Sequence, residues 1–244
     1  MPSTPYTDLR LVALYDTLNP AAADTAFYLA LAAGKNCIID LGCGTGLLTC
    51  ELAAQGSRVI GIDPEPEMLR VARKRPSGDR VEWVEGDARA LAVLPSADLL
   101  VMTGHVAQVF LDDTAFLETL KAARYALRNG GELAFESRNP AARAWESWTP
   151  AQSRRHIEVK GIGAVEVWQD DVSGSPESGI RFNTHYRFVA SGEQLTSTSE
   201  LRFRSQDEIA TQLERAGFSR LTWYGGWDKT ALSASSRELI VVAR

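Results

Sequence analysis

Five short strand-like runs, "CIID", "RVIGID", "RVEWVEGD", "ADLLVM" and "ELAFES", alternate with stretches of helical spacing over the first 137 or so of 244 residues. That alternation limits the fold more than any other feature, because strand, helix, strand closes into a parallel sheet covered by helices on both faces. "CIID" and "DLLVM" are nearly all apolar, as strands buried on both faces are. The helices are marked by their ends. Asn19 caps and Pro20 opens "NPAAADTAFYLALAAG", which Gly34 stops, and "LLTCELAAQG" ends at Gly56. Pro66 lies in the first turn of "EPEMLRVARKR", and Asp112 or Asp113 caps "DTAFLETLKAARYALRNGG" with a glycine stop.

Beyond residue 150 the period changes. "HIEVKGIGAVEVWQDDV", "IRFNTHYRFVA" and "EQLTSTSELRFRS" alternate polar and apolar residues, with turn signals "SGSPESG" and "SGE" between them. This reads as an antiparallel insertion of three strands. The helix "SQDEIATQLERAGF", capped by Ser205 and ended by Gly217, follows it, and "RLTWYGGW" and "RELIVVAR" read as an antiparallel pair closing the sheet edge. The expected division is 1–140 for an N-terminal helical cap and core, 141–204 for the insertion, and 205–244 for the closing elements.

Composition excludes some classes. Net charge is −5, and the longest basic run is "RKR". Nucleic acid is not an expected partner, since its affinity comes largely from neutralised phosphates. The N-terminus lacks the apolar core of a signal peptide, and no apolar run approaches the roughly 18 residues of a membrane helix. The expectation is a cytoplasmic protein, monomeric or homodimeric, with no membrane partner. Cys37, Cys43 and Cys50 match no zinc spacing and no closed disulfide set.

Ligands of doubly wound sheets bind outside the carboxyl ends of the strands. There the chain carries "IIDLGCGTG", with glycine at 42, 44 and 46. The dinucleotide fingerprint needs glycine where Leu47 stands. Asp63 ends the second strand, where a carboxylate accepts both ribose hydroxyls and repels a 2′-phosphate. Asp40, Asp63 and Asp87 together form an acidic rim, which suits a cationic nucleoside better than a pyrophosphate.

With these residues the chain resembles the class I S-adenosylmethionine-dependent methyltransferases. "IIDLGCGTG", "VIGIDPEPEML" and "VEGDA" are similar to their first three motifs, "DLLVMTGHVAQVF" to their fourth-strand segment, and "LRNGGELAFES" to the passage into the fifth strand. The resemblance covers about residues 36–138. It implies a Rossmann-like, doubly wound, mostly parallel seven-stranded sheet with an antiparallel β insertion after the fifth strand, similar to the lid of small-molecule methyltransferases. The implied cofactor is S-adenosylmethionine, with S-adenosylhomocysteine as product. Gly42, Gly44 and Gly46, with Cys43 and Thr45, would pass close to its methionine part, and Asp40 would sit near its ammonium. Asp63 and Pro64 would meet the ribose, and Gly86, Asp87, Ala88 and Met68 the adenine. Thr103 and Gly104 would line the sulfonium.

His105 follows the fourth strand and is the candidate base, since imidazole titrates near neutrality. Tyr6, Tyr15, Gln108, Arg138 and Trp145 are candidate acceptor contacts, Arg138 for an anionic acceptor. The expected function is transfer of a methyl group to an oxygen or nitrogen of a small molecule. The alternatives are a catalytically silent cofactor-binding subunit and an NAD-dependent dehydrogenase. No metal is expected.

Overall fold

The computed structural model describes residues 8–244, so the candidate contact Tyr6 lies outside the described residues. In chain order the helices are α1 (Leu9–Leu18), α2 (Ala23–Ala32), α3 (Leu47–Ala54), α4 (Pro66–Ala72), α5 (Asp113–Ala126), α6 (Pro150–Ser153) and α7 (Gln206–Arg215). The strands are β1 (Cys37–Leu41), β2 (Arg58–Asp63), β3 (Val81–Glu85), β4 (Ala97–Met102), β5 (Leu127–Arg138), β6 (Arg155–Val159), β7 (Gly163–Ser175), β8 (Gly179–Phe188), β9 (Gln194–Leu201), β10 (Leu221–Tyr224) and β11 (Glu238–Ala243).

Seven strands form the main sheet in the order β10-β11-β5-β4-β1-β2-β3. The five strands from β5 to β3 are mutually parallel, while β11 runs antiparallel to both β5 and β10. The apolar runs are explained by two-sided burial. Ile39, Ile60 and Leu100 pack with Phe116 and Leu120 of α5 and Leu213 of α7 on one face. Their neighbours Ile38, Val59 and Leu99 pack with Phe27 and Tyr28 of α2 and Leu52 of α3 on the other. β11 is apolar enough to be enclosed between two strands, and half-buried β10 takes the edge.

The insertion has four strands, ordered β6-β7-β8-β9, and not three. A turn at Val159–Ile162, with Gly161 at φ +82°, folds "HIEVKGIGAVEVWQDDV" back on itself. Val159, Val165, Val167, Tyr186 and Phe188 on one face of this sheet bury Leu11 and Leu14 of α1.

Two further boundaries differ from the sequence reading. Asn19 does not cap α2; its N–H closes α1 on the Tyr15 carbonyl, 2.8 Å away, and α2 starts after Ala22. The glycine pair 130–131 does not stop α5 but lies inside β5, with Gly130 at φ +76° near a register shift against β4.

Candidate functional site

The strand order turns back between β1 and β4, and a cavity of about 260 Å³ opens beyond their carboxyl ends. Its wall is built from Gly42, Cys43 and Thr45 after β1, Thr103, Gly104 and His105 after β4, and Glu136 and Arg138 of β5. Tyr15 of α1, Tyr28 of α2 and Trp227 roof it.

Four amides of the loop after β1 are already bonded within the protein. The N–H groups of Gly42 and Cys43 donate to the Ile62 carbonyl at 2.8 and 3.0 Å, that of Gly44 to Asp63 at 2.8 Å, and that of Gly46 to the Cys43 carbonyl at 2.9 Å. A phosphate-binding loop points such amides at its ligand; here these four are taken. Two of the glycines serve packing as well as backbone conformation. All three have positive φ, but a Cβ at Gly42 would lie 2.5 Å from Val106, and one at Gly46 2.6 Å from Trp83. Only Gly44 leaves room, its nearest neighbour being Tyr15 at 3.7 Å.

Helix α1 is fastened over this loop. The Thr45 hydroxyl donates to Asp16 at 2.6 Å, Arg75 pairs with the same carboxylate, and the Arg75 Nε–H donates to the Thr45 carbonyl at 2.5 Å. Tyr15 is thereby held above Gly44 and Gly104. Burial, and after it the charges of Asp63, Asp16 and Asp40, push the Tyr15 phenol up to about 12, so it stays a neutral hydroxyl near pH 7.

The three rim carboxylates have different environments. Asp40 is fully buried; its Oδ2 accepts the Thr49 hydroxyl at 2.7 Å, and its Oδ1 has no partner among the described residues. Burial pushes its carboxyl up to about 7, with the Thr49 bond opposing and Asp63 and Glu136 adding to the rise. Asp63 accepts the amides of Gly44 and Glu65, which leaves half of its roughly four lone-pair sites. Burial raises its pKa against those two bonds. Asp87 is exposed and paired with Arg89, and the Arg89 bonds hold its pKa below the usual value. Of the three, Asp40 lines the cavity, Asp63 lies behind the glycine loop, and Asp87 lies at the surface with Arg89. Gly44, Gly46, Asp63, Pro64, Met68, Gly86, Asp87 and Ala88 lie outside the cavity wall itself, Met68 being buried within α4.

His105 sits at φ +64° and is fixed from two sides. Its N–H donates to Oε1 of buried Glu136 at 2.8 Å, and its Nε2 lies 3.0 Å from Oε2 of Glu238. The other Glu136 oxygen takes the Tyr28 hydroxyl. Burial raises the Glu136 pKa, with His105 and Tyr28 opposing.

Two acceptor candidates are placed differently from the sequence reading. Gln108 is fully buried and faces protein, with its Nε2 donating to the Arg202 carbonyl at 3.2 Å and its Oε1 accepting from Arg138 at 2.9 Å. Trp145 stacks edge-on against Phe203 and lines a second cavity beside the insertion. Sequence reasoning missed Tyr28, Glu136, Trp227 and Glu238. A carboxylate inside the apolar run "ELAFES" was the available signal for Glu136; the other three become site residues only by chain folding.

The sheet order, the self-satisfied glycine loop and the unpartnered Asp40 oxygen fit a cationic amino-acid nucleoside, and the fold is that of the class I S-adenosylmethionine-dependent methyltransferases. Residues 38–131 match the family model described as "Methyltransferase domain". A probable cobalt-precorrin-6B C(15)-methyltransferase of Methanothermobacter thermautotrophicus is 35% identical over 106 residues, 41% of this chain and 52% of that protein. The putative methyltransferase YqeM of Bacillus subtilis is 27% identical over 217 residues, 86% of this chain and 84% of that one. The chain spans about half the length of the first curated relatives it matches. The S-adenosylmethionine-bound structure of CalS10, an amino pentose methyltransferase from Micromonospora echinaspora, superposes with TM-score 0.69 at 20% identity over 95% of both chains. S-Adenosylmethionine is the cofactor of this class. No helix of the described residues is long and apolar enough to cross a membrane, and no metal-ligating cluster occurs among them.

Proposed function

We propose that the chain catalyses methyl transfer from S-adenosylmethionine to an oxygen or nitrogen atom of a small molecule. The observation that carries this reading is the buried Asp40 carboxylate, whose free Oδ1 lies beside the glycine loop. An unpaired acceptor in a dry site is costly, and an ammonium would satisfy it. The four loop amides already bonded, those of Gly42, Cys43, Gly44 and Gly46, support this cofactor over a pyrophosphate one.

The cofactor, when bound, supplies a methyl carbon already activated by a positively charged sulfur. The protein's part is then to hold the acceptor in line and take its proton. Asp40 holds the ammonium, Asp63 the ribose hydroxyls, and Thr103 and Gly104 border the reacting end. His105, held by Glu136 and Glu238, takes the proton of a hydroxyl or ammonium acceptor. Orientation of this kind supplies on the order of 7 to 11 kcal/mol of the barrier.

Calorimetry with S-adenosylhomocysteine and NAD, followed by transfer of labelled methyl to a panel of small alcohols, amines and carboxylates, tests the reading. Binding of the adenosine product with turnover of at least one acceptor supports it. Binding without turnover of any acceptor favours a silent subunit, and tighter binding of NAD rejects the reading.

A further inference from the structure

Arg138 ends β5 at the wall of the cleft, half-buried. Its cross-strand partner in the β5–β11 ladder is Glu238, the natural counter-charge. That carboxylate is turned to His105, and the oxygens of the other nearby acid, Glu136, accept the His105 amide and the Tyr28 hydroxyl. No carboxylate lies within 4.0 Å of the guanidinium among the described residues. What holds it is neutral: Gln108 Oε1 at 2.9 Å and the face of Trp148 at 5.8 Å. Gln108 is itself pinned by the Arg202 carbonyl, so the guanidinium is oriented without being neutralised.

Two more deeply buried arginines are treated differently. Arg202 pairs with Glu208 at 3.3 Å, and Arg204 with Asp113 at 2.9 Å. A cation withdrawn from water without a counter-charge is expensive, and the cost falls when a ligand supplies the anion. Burial lowers the Arg138 pKa, with Glu238 and Glu136 opposing from a distance. A planar fork with unused donors is the geometry that receives a carboxylate by two parallel bonds.

We propose that Arg138 is the carboxylate-binding residue of the cleft, receiving either a carboxylate of the acceptor or that of the cofactor's amino-acid tail. The two sources are named on the methyltransferase reading, but the binding chemistry stands without it.

Three probes test this: S-adenosylhomocysteine, 5′-methylthioadenosine, which lacks the amino-acid tail, and acetate. The readouts are calorimetry and the ¹⁵N signal of the Arg138 Nε–H, assigned by its loss in Arg138→Lys. If the cofactor tail is the source, Arg138→Gln weakens S-adenosylhomocysteine by about tenfold or more and leaves methylthioadenosine unchanged. If the acceptor is the source, both nucleosides bind the variant as before, and acetate added to the homocysteine complex moves the Arg138 signal saturably. Unchanged nucleoside affinities together with an Arg138 signal indifferent to acetate overturn the proposal. The acetate experiment uses wild-type protein, so a variant that fails to fold does not shield the idea. Should neither nucleoside bind the wild type, the methyltransferase reading fails, and acetate on the free protein still decides the role of Arg138.

Discussion

Glu238 faces Arg138 across the β5–β11 ladder, yet its carboxylate goes to His105, with Oε2 3.0 Å from Nε2. One carboxylate thus fixes the imidazole and leaves the arginine to a neutral partner. With Nε2 engaged by Glu238, the base role proposed for His105 falls to Nδ1.

His105→Ala is therefore expected to lower turnover by about 10²- to 10⁴-fold while affinity for S-adenosylhomocysteine is kept. Glu238→Ala is expected to lower turnover less, because the imidazole remains but loses its orientation. Steady-state kinetics beside calorimetry measure both, and a fully active His105 variant removes it from the proton path.

If Asp40 holds the ammonium as proposed, cofactor binding is expected to depend on pH. Its carboxyl is raised to about 7 in the folded protein, against about 3.9 in an unfolded chain. Stability from the protonated form is fully present below the unfolded value and is lost as pH rises through about 7. A bound ammonium reverses the preference by favouring the anion. Near pH 6, binding should release up to about one proton, seen as an enthalpy that changes with the ionisation heat of the buffer. Asp40→Asn should abolish that release and make the free protein more stable than wild type at pH 8. A buffer-independent enthalpy in wild type would contradict this.

The three loop glycines should tolerate alanine unequally. Gly46→Ala forces a Cβ to 2.6 Å from Trp83 and 2.9 Å from Ala72 at φ +74°, and should cost about 2 kcal/mol or more. Gly44→Ala meets only Tyr15 at 3.7 Å, so its cost is the backbone strain alone, about 1 kcal/mol. Urea unfolding compares them, and equal losses would show that packing against Trp83 is not what requires Gly46.

The fastening of α1 gives a kinetic expectation. Asp16, Thr45 and Arg75 hold the helix over the glycine loop. Arg75→Ala should reduce stability by only about 1 kcal/mol, because the pair is partly exposed, but should speed release of S-adenosylhomocysteine in stopped-flow displacement. An unchanged release rate would mean that α1 does not gate the site.

The parallel core was legible because its determinants are local. Ile38 and Ile39, like Val59 and Ile60, point to opposite faces of the sheet, so two-sided burial writes itself into consecutive residues. Ser205 and Glu208 form a capping box, and Pro66 opens α4, each through bonds or backbone angles set within a few residues. The glycine loop was visible for the same reason, although the packing against Val106 and Trp83 was not.

What only the tertiary structure decided are the relationships between residues far apart in the chain. Tyr28 of α2, Glu136 and Arg138 of β5, and Glu238 of β11 come from three elements that no local pattern connects, and the Glu238 carboxylate meets His105 and not its ladder partner Arg138. Gln108 turned inward to Arg202 and Arg138. Periodicity and end signals are short-range properties of the chain and determine which elements form. Which charge compensates which other charge is settled only when those elements pack, because that depends on distance in space.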